Sequence, residues 1–146
     1  MKKLLLFALF FMSTPCMADF EDYACEHLMI TIRNDTPYTC YLTQTESNMG
    51  AFYDQNEVPF KILTGRKEWL NMLQEPFNAG SDIKLYYECG EGQTITLLAK
   101  QNSCGTNNKT LASVVAANNM KADYNTSPAN YWKNQPATID WILSLA

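Results

Sequence analysis

Apolar and polar residues alternate with a period of two along most of the chain, and this pattern predicts β-strands. It is clearest in residues 82–104, DIKLYYECGEGQTITLLAKQNSC, where two alternating runs flank Gly90-Glu91-Gly92. Glycines supply the positive φ angles that a short hairpin loop needs. The stretch is therefore predicted to be a β-hairpin in the middle of a sheet, with the rest of the chain folding around it.

The same alternation predicts further strands on both sides of this hairpin. They fall at residues 27–33, 39–45, 58–62, 111–117, 120–124 and 137–145. Residues 51–53 predict at most a short strand within a loop, and residues 68–73 fit either a strand or a single helical turn. In residues 58–62, Val58, Phe60 and Ile62 alternate with Pro59 and Lys61. Pro59 cannot donate a hydrogen bond to a neighbouring strand, so this strand is expected at a sheet edge.

Turn chemistry separates these strands. Asn34-Asp35-Thr36-Pro37 follows the first of them, and Asn and Asp side chains bond back to nearby backbone while Pro fixes its own φ. No amphipathic helix longer than a turn or two is expected. Eight or nine short strands with turns between them predict an all-β fold, a single antiparallel β-sandwich or flattened barrel.

Residues 1–18 have the layout of a cleavable signal peptide. Two lysines precede an apolar run at residues 4–12, and Cys16-Met17-Ala18 offers a small-residue cleavage site. The run is shorter than the ~20 residues of a membrane-spanning helix, so no transmembrane segment is expected after cleavage. A lipid-modified signal ending at Cys16 is the alternative, and Pro15 disfavours it. Residues 19–146 are predicted to form one exported domain, secreted or periplasmic.

Cleavage would leave four cysteines, and an even number in an exported chain predicts two disulfides. Zinc would favour closer ligands than these, whose spacings are 15, 49 and 15 residues. Cys89 adjoins the hairpin turn whereas Cys104 lies a strand length beyond it, too far apart for a disulfide, whose Cα atoms lie within ~7 Å. The same reasoning separates Cys25 from Cys40. The predicted pairs are Cys40–Cys89 and Cys25–Cys104.

Charge and motif content argue against several classes of function. Loss of Lys2 and Lys3 would move the formal net charge from −4 to −6, and no basic cluster favours nucleic acid. The only histidine, His27, is expected on an outward face, and no nucleophile turn, phosphate loop or metal-ligand spacing is present in the sequence. Carboxylate pairs such as Glu88 with Glu91 are expected by chance among fifteen acids. We therefore expect a non-enzymatic protein with no cofactor and no metal.

Aromatic residues in the long loops are the more suggestive feature. Phe52, Tyr53, Tyr131 and Trp132 lie where packing of a core does not obviously require them. Aromatic rings combine apolar area with a polar edge, which suits contact with proteins, sugars and membrane interfaces. They can also close the open ends of a sandwich. As a group they are the candidate binding surface.

Parts of the sequence resemble known groups of proteins. The I-x-I-x-N-x-T strand at residues 30–36, the YYECG segment at 86–90 and the Q-P-x-x-I-x-W segment at 135–141 resemble small exported two-disulfide proteins of intracellular Gram-negative bacteria. The MITIRNDT segment at 29–36 and Tyr131-Trp132 are similar to aegerolysin-type β-sandwiches, although aegerolysins lack this cysteine pattern. The first resemblance implies no particular activity, and the second implies binding to lipid membranes.

Taken together, these features predict a secreted or periplasmic binding protein that contacts a protein, glycan or lipid surface through loop aromatics. Its role would be that of an accessory factor facing the envelope or a host, such as a virulence-associated protein. A membrane-lipid binder of the aegerolysin kind is the alternative, and a glycan-active enzyme comes third.

Overall fold

A computed structural model describes residues 24–55, 58–74, 80–104 and 108–146. The predicted leader, residues 1–18, lies outside the described residues. The described chain begins with a short 3₁₀ turn and continues as ten β-strands. These are the turn Ala24–Glu26, then β1 His27–Asn34, β2 Cys40–Met49, β3 Ala51–Phe52, β4 Lys61–Ile62, β5 Lys67–Leu73, β6 Ser81–Cys89, β7 Thr94–Gln101, β8 Thr110–Asn118, β9 Met120–Ser127 and β10 Ala137–Leu145.

The strands form two five-stranded sheets that pack face to face. The β1 sheet has the order β3-β5-β1-β10-β9, and the β6 sheet has the order β4-β2-β6-β7-β8. The predicted all-β sandwich is confirmed. The hairpin that anchored the sequence interpretation, β6 with β7, occupies central positions of its sheet.

One pairing departs from the antiparallel pattern. β1 and β10 run parallel, with Ile30 opposite Ile139, whereas every other described pairing is antiparallel. Parallel neighbours need a long connection between them, and here nearly the whole domain supplies it. The first and last strands of the described chain therefore meet in the centre of the β1 sheet.

Burial distinguishes residues in two segments that the sequence pattern left open. Residues 68–73 form a strand, within β5, because Leu70 and Met72 alternate into the core. Phe60 and Ile62 share one parity in the sequence but differ in burial, since 66% of Phe60 is exposed while Ile62 is fully buried. The Phe60 carbonyl accepts a hydrogen bond from the Leu42 amide of β2 at 2.8 Å, so the Phe60 backbone lies beside β2 while its side chain stays in solvent.

The core consists of inward-facing side chains from both sheets, such as Leu28, Ile30 and Ile32 of β1. Both disulfides border it and have the predicted connectivity. Cys40 and Cys89 are directly opposite each other in β2 and β6, with 4.0 Å between their Cα atoms. Cys25 and Cys104 join the 3₁₀ turn to the segment after β7. Two disulfides are typical of proteins from oxidising compartments.

Candidate functional site

The four loop aromatics come to one end of the sandwich. Because β1 and β10 run parallel and β5 and β9 run against them, β1 and β10 begin where β5 and β9 finish. The connection 128–136, which carries Tyr131 and Trp132, crosses this end from β9 to β10. β3, with Phe52 at its end and Tyr53 next, pairs with the last residues of β5 at the same end. We call it the aromatic end.

Hydrogen bonds hold the β9–β10 connection in a defined shape. The backbone amides of Asn130 and Gln135 each donate to the other's carbonyl, at 2.9 and 3.0 Å. The Asn130 side chain accepts from the Lys133 amide at 3.0 Å, and the Asn134 side chain accepts from the Ala24 amide at 2.8 Å. Asn134 has a positive φ of 47°, a conformation that asparagine tolerates better than most residues. The turn is therefore fixed from within and from the N-terminal segment.

Trp132 stands at the tip of this turn and is 92% exposed. Tyr131 is half exposed, and its ring meets that of Trp132 edge-on with 5.6 Å between centroids. An aromatic pair on a hydrogen-bonded turn loses little conformational freedom when it contacts a partner. The pair presents apolar area with polar edges to whatever approaches this end.

Tyr53 lies on the other side of the aromatic end, outside β5. Its amide donates to the Asn71 carbonyl at 2.9 Å, and its ring packs against the His27 ring with 5.1 Å between centroids. The His27 ring nitrogen Nδ1 lies 2.9 Å from the Asn71 amide nitrogen and 3.2 Å from its oxygen. His27 thus supports Tyr53. Phe52 is only partly exposed and packs against the core, so it anchors the segment that carries Tyr53.

A layer of buried polar residues lies beneath the aromatic end and was not predicted from the sequence. Gln101 donates from Nε2 to the Cys25 carbonyl at 2.9 Å, and the Gln74 side chain accepts from the Cys104 amide at 3.2 Å. These contacts fix both sides of the Cys25–Cys104 disulfide. A signal did exist, because Gln101 continues the inward positions of the β7 alternation, where a polar residue requires a buried partner.

Charged groups belong mainly to the outer sheet faces. Lys84 lies 3.2 Å from Glu46 on the β6 sheet, and hydrogen bonds from Tyr86 and Lys84 lower the pKa of Glu46. Among the described residues, no group of three or more His, Cys, Asp or Glu side chains is arranged to hold a metal ion. No helix in the described part of the chain is long and apolar enough to cross a membrane.

A second set of exposed apolar side chains lies at the opposite end, around β4. Tyr41 pairs with Lys61, whose Nζ lies 5.7 Å from the centre of the Phe60 ring. Tyr38 and Leu63 are also about half exposed, and one Asn34 amide group holds the Tyr38 and Ile62 carbonyls together. These residues lie a full strand length away from Trp132, so the two sets belong to different surfaces.

Solved structures share this fold. The lipid binding protein Nakanori is 13% identical, with a TM-score of 0.65, over 82% of this chain and 71% of its own. The RahU protein, solved in complex with a TRIS molecule, is 13% identical with a TM-score of 0.63, over 85% and 97% of the two chains. IP-1A from Alcaligenes faecalis is 12% identical with a TM-score of 0.56, over 83% and 92%. No family model and no curated protein sequence matches the chain. These likenesses establish the fold.

Proposed function

We propose that the protein is an exported, non-enzymatic binding protein that contacts a lipid membrane surface through its aromatic end. The observation that carries the proposal is the Tyr131–Trp132 pair on a hydrogen-bonded turn, with Trp132 almost fully in solvent. Tyrosine and tryptophan rings favour the boundary between acyl chains and headgroups, because one edge is apolar and the other hydrogen-bonds to water.

Three further observations support a membrane partner. Tyr53 lies at the same end, so the contact would have two aromatic points on either side of the start of β1. One solved protein of the same fold is described as lipid-binding. The two disulfides and the leader-like residues 1–18 both suit a protein that works outside the cytoplasm.

The overall charge indicates which lipids the surface would tolerate. The chain has a formal net charge of −4, and a negative protein is repelled by an anionic bilayer. The side chains that would contact lipid at the aromatic end are uncharged aromatic rings, and Lys133 is the cation next to Trp132 in the sequence. We therefore expect stronger binding to zwitterionic phosphatidylcholine vesicles than to vesicles enriched in phosphatidylglycerol.

Vesicle flotation tests the proposal directly. The parent protein is expected to float with phosphatidylcholine vesicles, and Trp132→Ala to remain largely at the bottom of the gradient. Phe60→Ala is the matched control, since it removes another highly exposed aromatic ring from the opposite end. The proposal is wrong if the parent fails to float with vesicles of either composition, or if both variants float like the parent.

A protein receptor in the envelope or a host is the second candidate function. It uses the same aromatic surface, since exposed tyrosine and tryptophan are also typical of protein contacts. Retention of the parent on an envelope extract from which lipid has been removed, abolished by Trp132→Ala, would favour this candidate over the membrane.

A further inference from the structure

Of the buried side-chain polar atoms that lack a hydrogen-bond partner within the described part of the chain, two belong to aromatic residues of the core. They are the Tyr87 hydroxyl of β6 and the Nε1–H group of Trp141 of β10. Both residues are 1% exposed. A buried donor without an acceptor destabilises a folded protein, and nearly all such groups in native proteins have a partner. Each of these atoms therefore implies an acceptor close by.

An inward-facing carboxylate lies in the same row of side chains as Trp141. In the β1 sheet Ile32 is opposite Trp141 on one side and opposite Glu68 on the other. Directly opposite residues point to the same face of a sheet. Since Ile32 is fully buried, Trp141 and Glu68 also point between the sheets.

Tyr87 lies at the same height in the facing sheet. The Asn34 side chain donates to the Ile62 carbonyl at 2.9 Å, and Ile62 is opposite Cys40, which links this height in the two sheets. Ile32 lies two residues before Asn34 in β1, and Tyr87 lies two residues before Cys89, the partner of Cys40, in β6. Ile32 and Tyr87 are therefore equally far from this end of the sandwich. Burial and then the negative charge of Glu68 raise the pKa of Tyr87, as expected when that carboxylate is near.

Glu68 lies where β5 is at the edge of its sheet. β3 pairs only with the last two residues of β5, so at Glu68 the strand forms the edge of its sheet. The Glu68 residue is half-buried, in contrast to Tyr87 and Trp141. The carboxylate therefore lies at the side of the sandwich, between solvent and core.

Hydrogen-bond chemistry restricts what can sit among these three groups. An anion would be repelled by Glu68, and an ammonium ion has no lone pair to accept from Tyr87 or Trp141. An uncharged hydroxyl accepts two hydrogen bonds and donates one, which matches two donors and a carboxylate. We propose that the core holds one uncharged hydroxyl group between Tyr87, Trp141 and Glu68, supplied by a water molecule or by a small alcohol. This site lies away from the aromatic end and is independent of membrane binding.

The sign of one stability change tests the proposal. If Tyr87 donates to a bound hydroxyl, Tyr87→Phe leaves that hydroxyl short of a donor and lowers the melting temperature by about 3–6 °C. If Tyr87 has no partner, the same change leaves the melting temperature unchanged or raises it, and the proposal fails. Tyr124→Phe is the control, because Tyr124 packs on the Trp141 ring at 4.8 Å but is half exposed.

A double variant then tests whether one molecule links the groups. Glu68→Leu and Tyr87→Phe are expected to shift the melting temperature by less together than the sum of their separate shifts, because each removes part of the same network. Strict additivity would contradict a shared ligand.

A high-resolution crystal structure of the unaltered protein distinguishes the sources of the hydroxyl. Density for a water between Tyr87, Trp141 and Glu68 in a buffer free of alcohols supports the proposal with solvent as the source. Density for an alcohol after soaking in ethylene glycol supports it with a small molecule as the source. A Glu68 carboxylate turned inward to accept directly from Tyr87, with no density between them, overturns it.

Discussion

Replacing Asn34 by alanine should destabilise the sandwich strongly, although it removes few atoms. It is fully buried at the end of β1. Its Nδ2 donates to the Tyr38 carbonyl at 2.7 Å and to the Ile62 carbonyl at 2.9 Å. Its Oδ1 accepts from the Thr36 amide at 3.0 Å and from the Thr36 hydroxyl at 2.8 Å. One side chain thus closes the β1–β2 turn and joins it to β4.

The magnitude follows from these four hydrogen bonds. A hydrogen bond contributes about 1 kcal/mol net, and a buried group left without a partner costs about 1–3 kcal/mol. Asn34→Ala removes the side-chain partner of the Ile62 carbonyl and of the Thr36 amide. We therefore expect the free energy of unfolding to fall by about 3–5 kcal/mol. That is a large part of the ~5–15 kcal/mol by which such domains are stable.

Urea denaturation followed by tryptophan fluorescence measures the change in the free energy of unfolding. The midpoint should fall strongly with the slope unchanged, because the same surface is exposed on unfolding. Asn118→Ala is the control, since Asn118 is exposed and its side chain donates a hydrogen bond to the Gly92 carbonyl at 2.7 Å. A loss for Asn34→Ala no larger than that of the control, within about 0.5 kcal/mol, would refute the reasoning.

Three further predictions concern the surface and the disulfides. If about 100 Å² of Trp132 leaves water on a bilayer, at ~25 cal/mol per Å², Trp132→Ala should weaken phosphatidylcholine binding roughly 60-fold, as measured by flotation over a lipid titration. The pKa of Glu46 lies below its ordinary 4.5, so its interactions stabilise the fold above that pH and are lost as the pH falls through the lowered value. Glu46→Gln should therefore flatten the loss of stability between about pH 5 and about pH 3 in urea titrations, and an unchanged slope there would contradict this. Replacing Cys25 and Cys104 together by alanine releases a loop of 79 residues and should cost about 4 kcal/mol by denaturation, whereas a cost under about 1 kcal/mol would disprove it.

The strands and disulfides were predictable because they depend on local patterns. Period-two alternation identified β1, β6, β7 and β10 to within a few residues. The cysteine pairing followed from the length of a hairpin arm, which keeps Cys89 away from Cys104 whatever the rest of the fold does. Asn34 was expected to bond to its own turn, and it does so through Thr36.

Long-range neighbours were not predictable from these patterns. The Asn34 contact with the Ile62 carbonyl spans 28 residues, and nothing near Asn34 in the sequence specifies it. The parallel pairing of β1 with β10 likewise depends on which strands are already occupied by β5 and β9. Without it, the sequence placed Tyr53 and Trp132 in loops but could not bring them to one end.

The same limit explains why Glu68 and Phe60 escaped prediction. The period of residues 68–73 was ambiguous, so the inward position of Glu68 appeared only when its pairing with Ile32 was known. Phe60 has the same parity as the buried Ile62, and its carbonyl accepts from the Leu42 amide of β2, yet its side chain stays in solvent. Parity predicts a face of a strand, whereas burial also requires other side chains that cover that face.

The contacts of the two ends assign them different roles, and the assignment has a measurable consequence. The end around Asn34 is held by four hydrogen bonds of the buried Asn34 side chain and by the Cys40–Cys89 disulfide, so its residues determine stability. Trp132 is almost fully exposed, and the hydrogen bonds that shape its turn involve Asn130 and Gln135 instead. Trp132→Ala should therefore leave the urea midpoint unchanged while weakening vesicle binding. Asn34→Ala should do the reverse at temperatures where it remains folded, because no atom of Asn34 reaches the aromatic end. If both variants lost stability and binding in proportion, Trp132 would be part of the scaffold and the membrane contact would have to lie elsewhere.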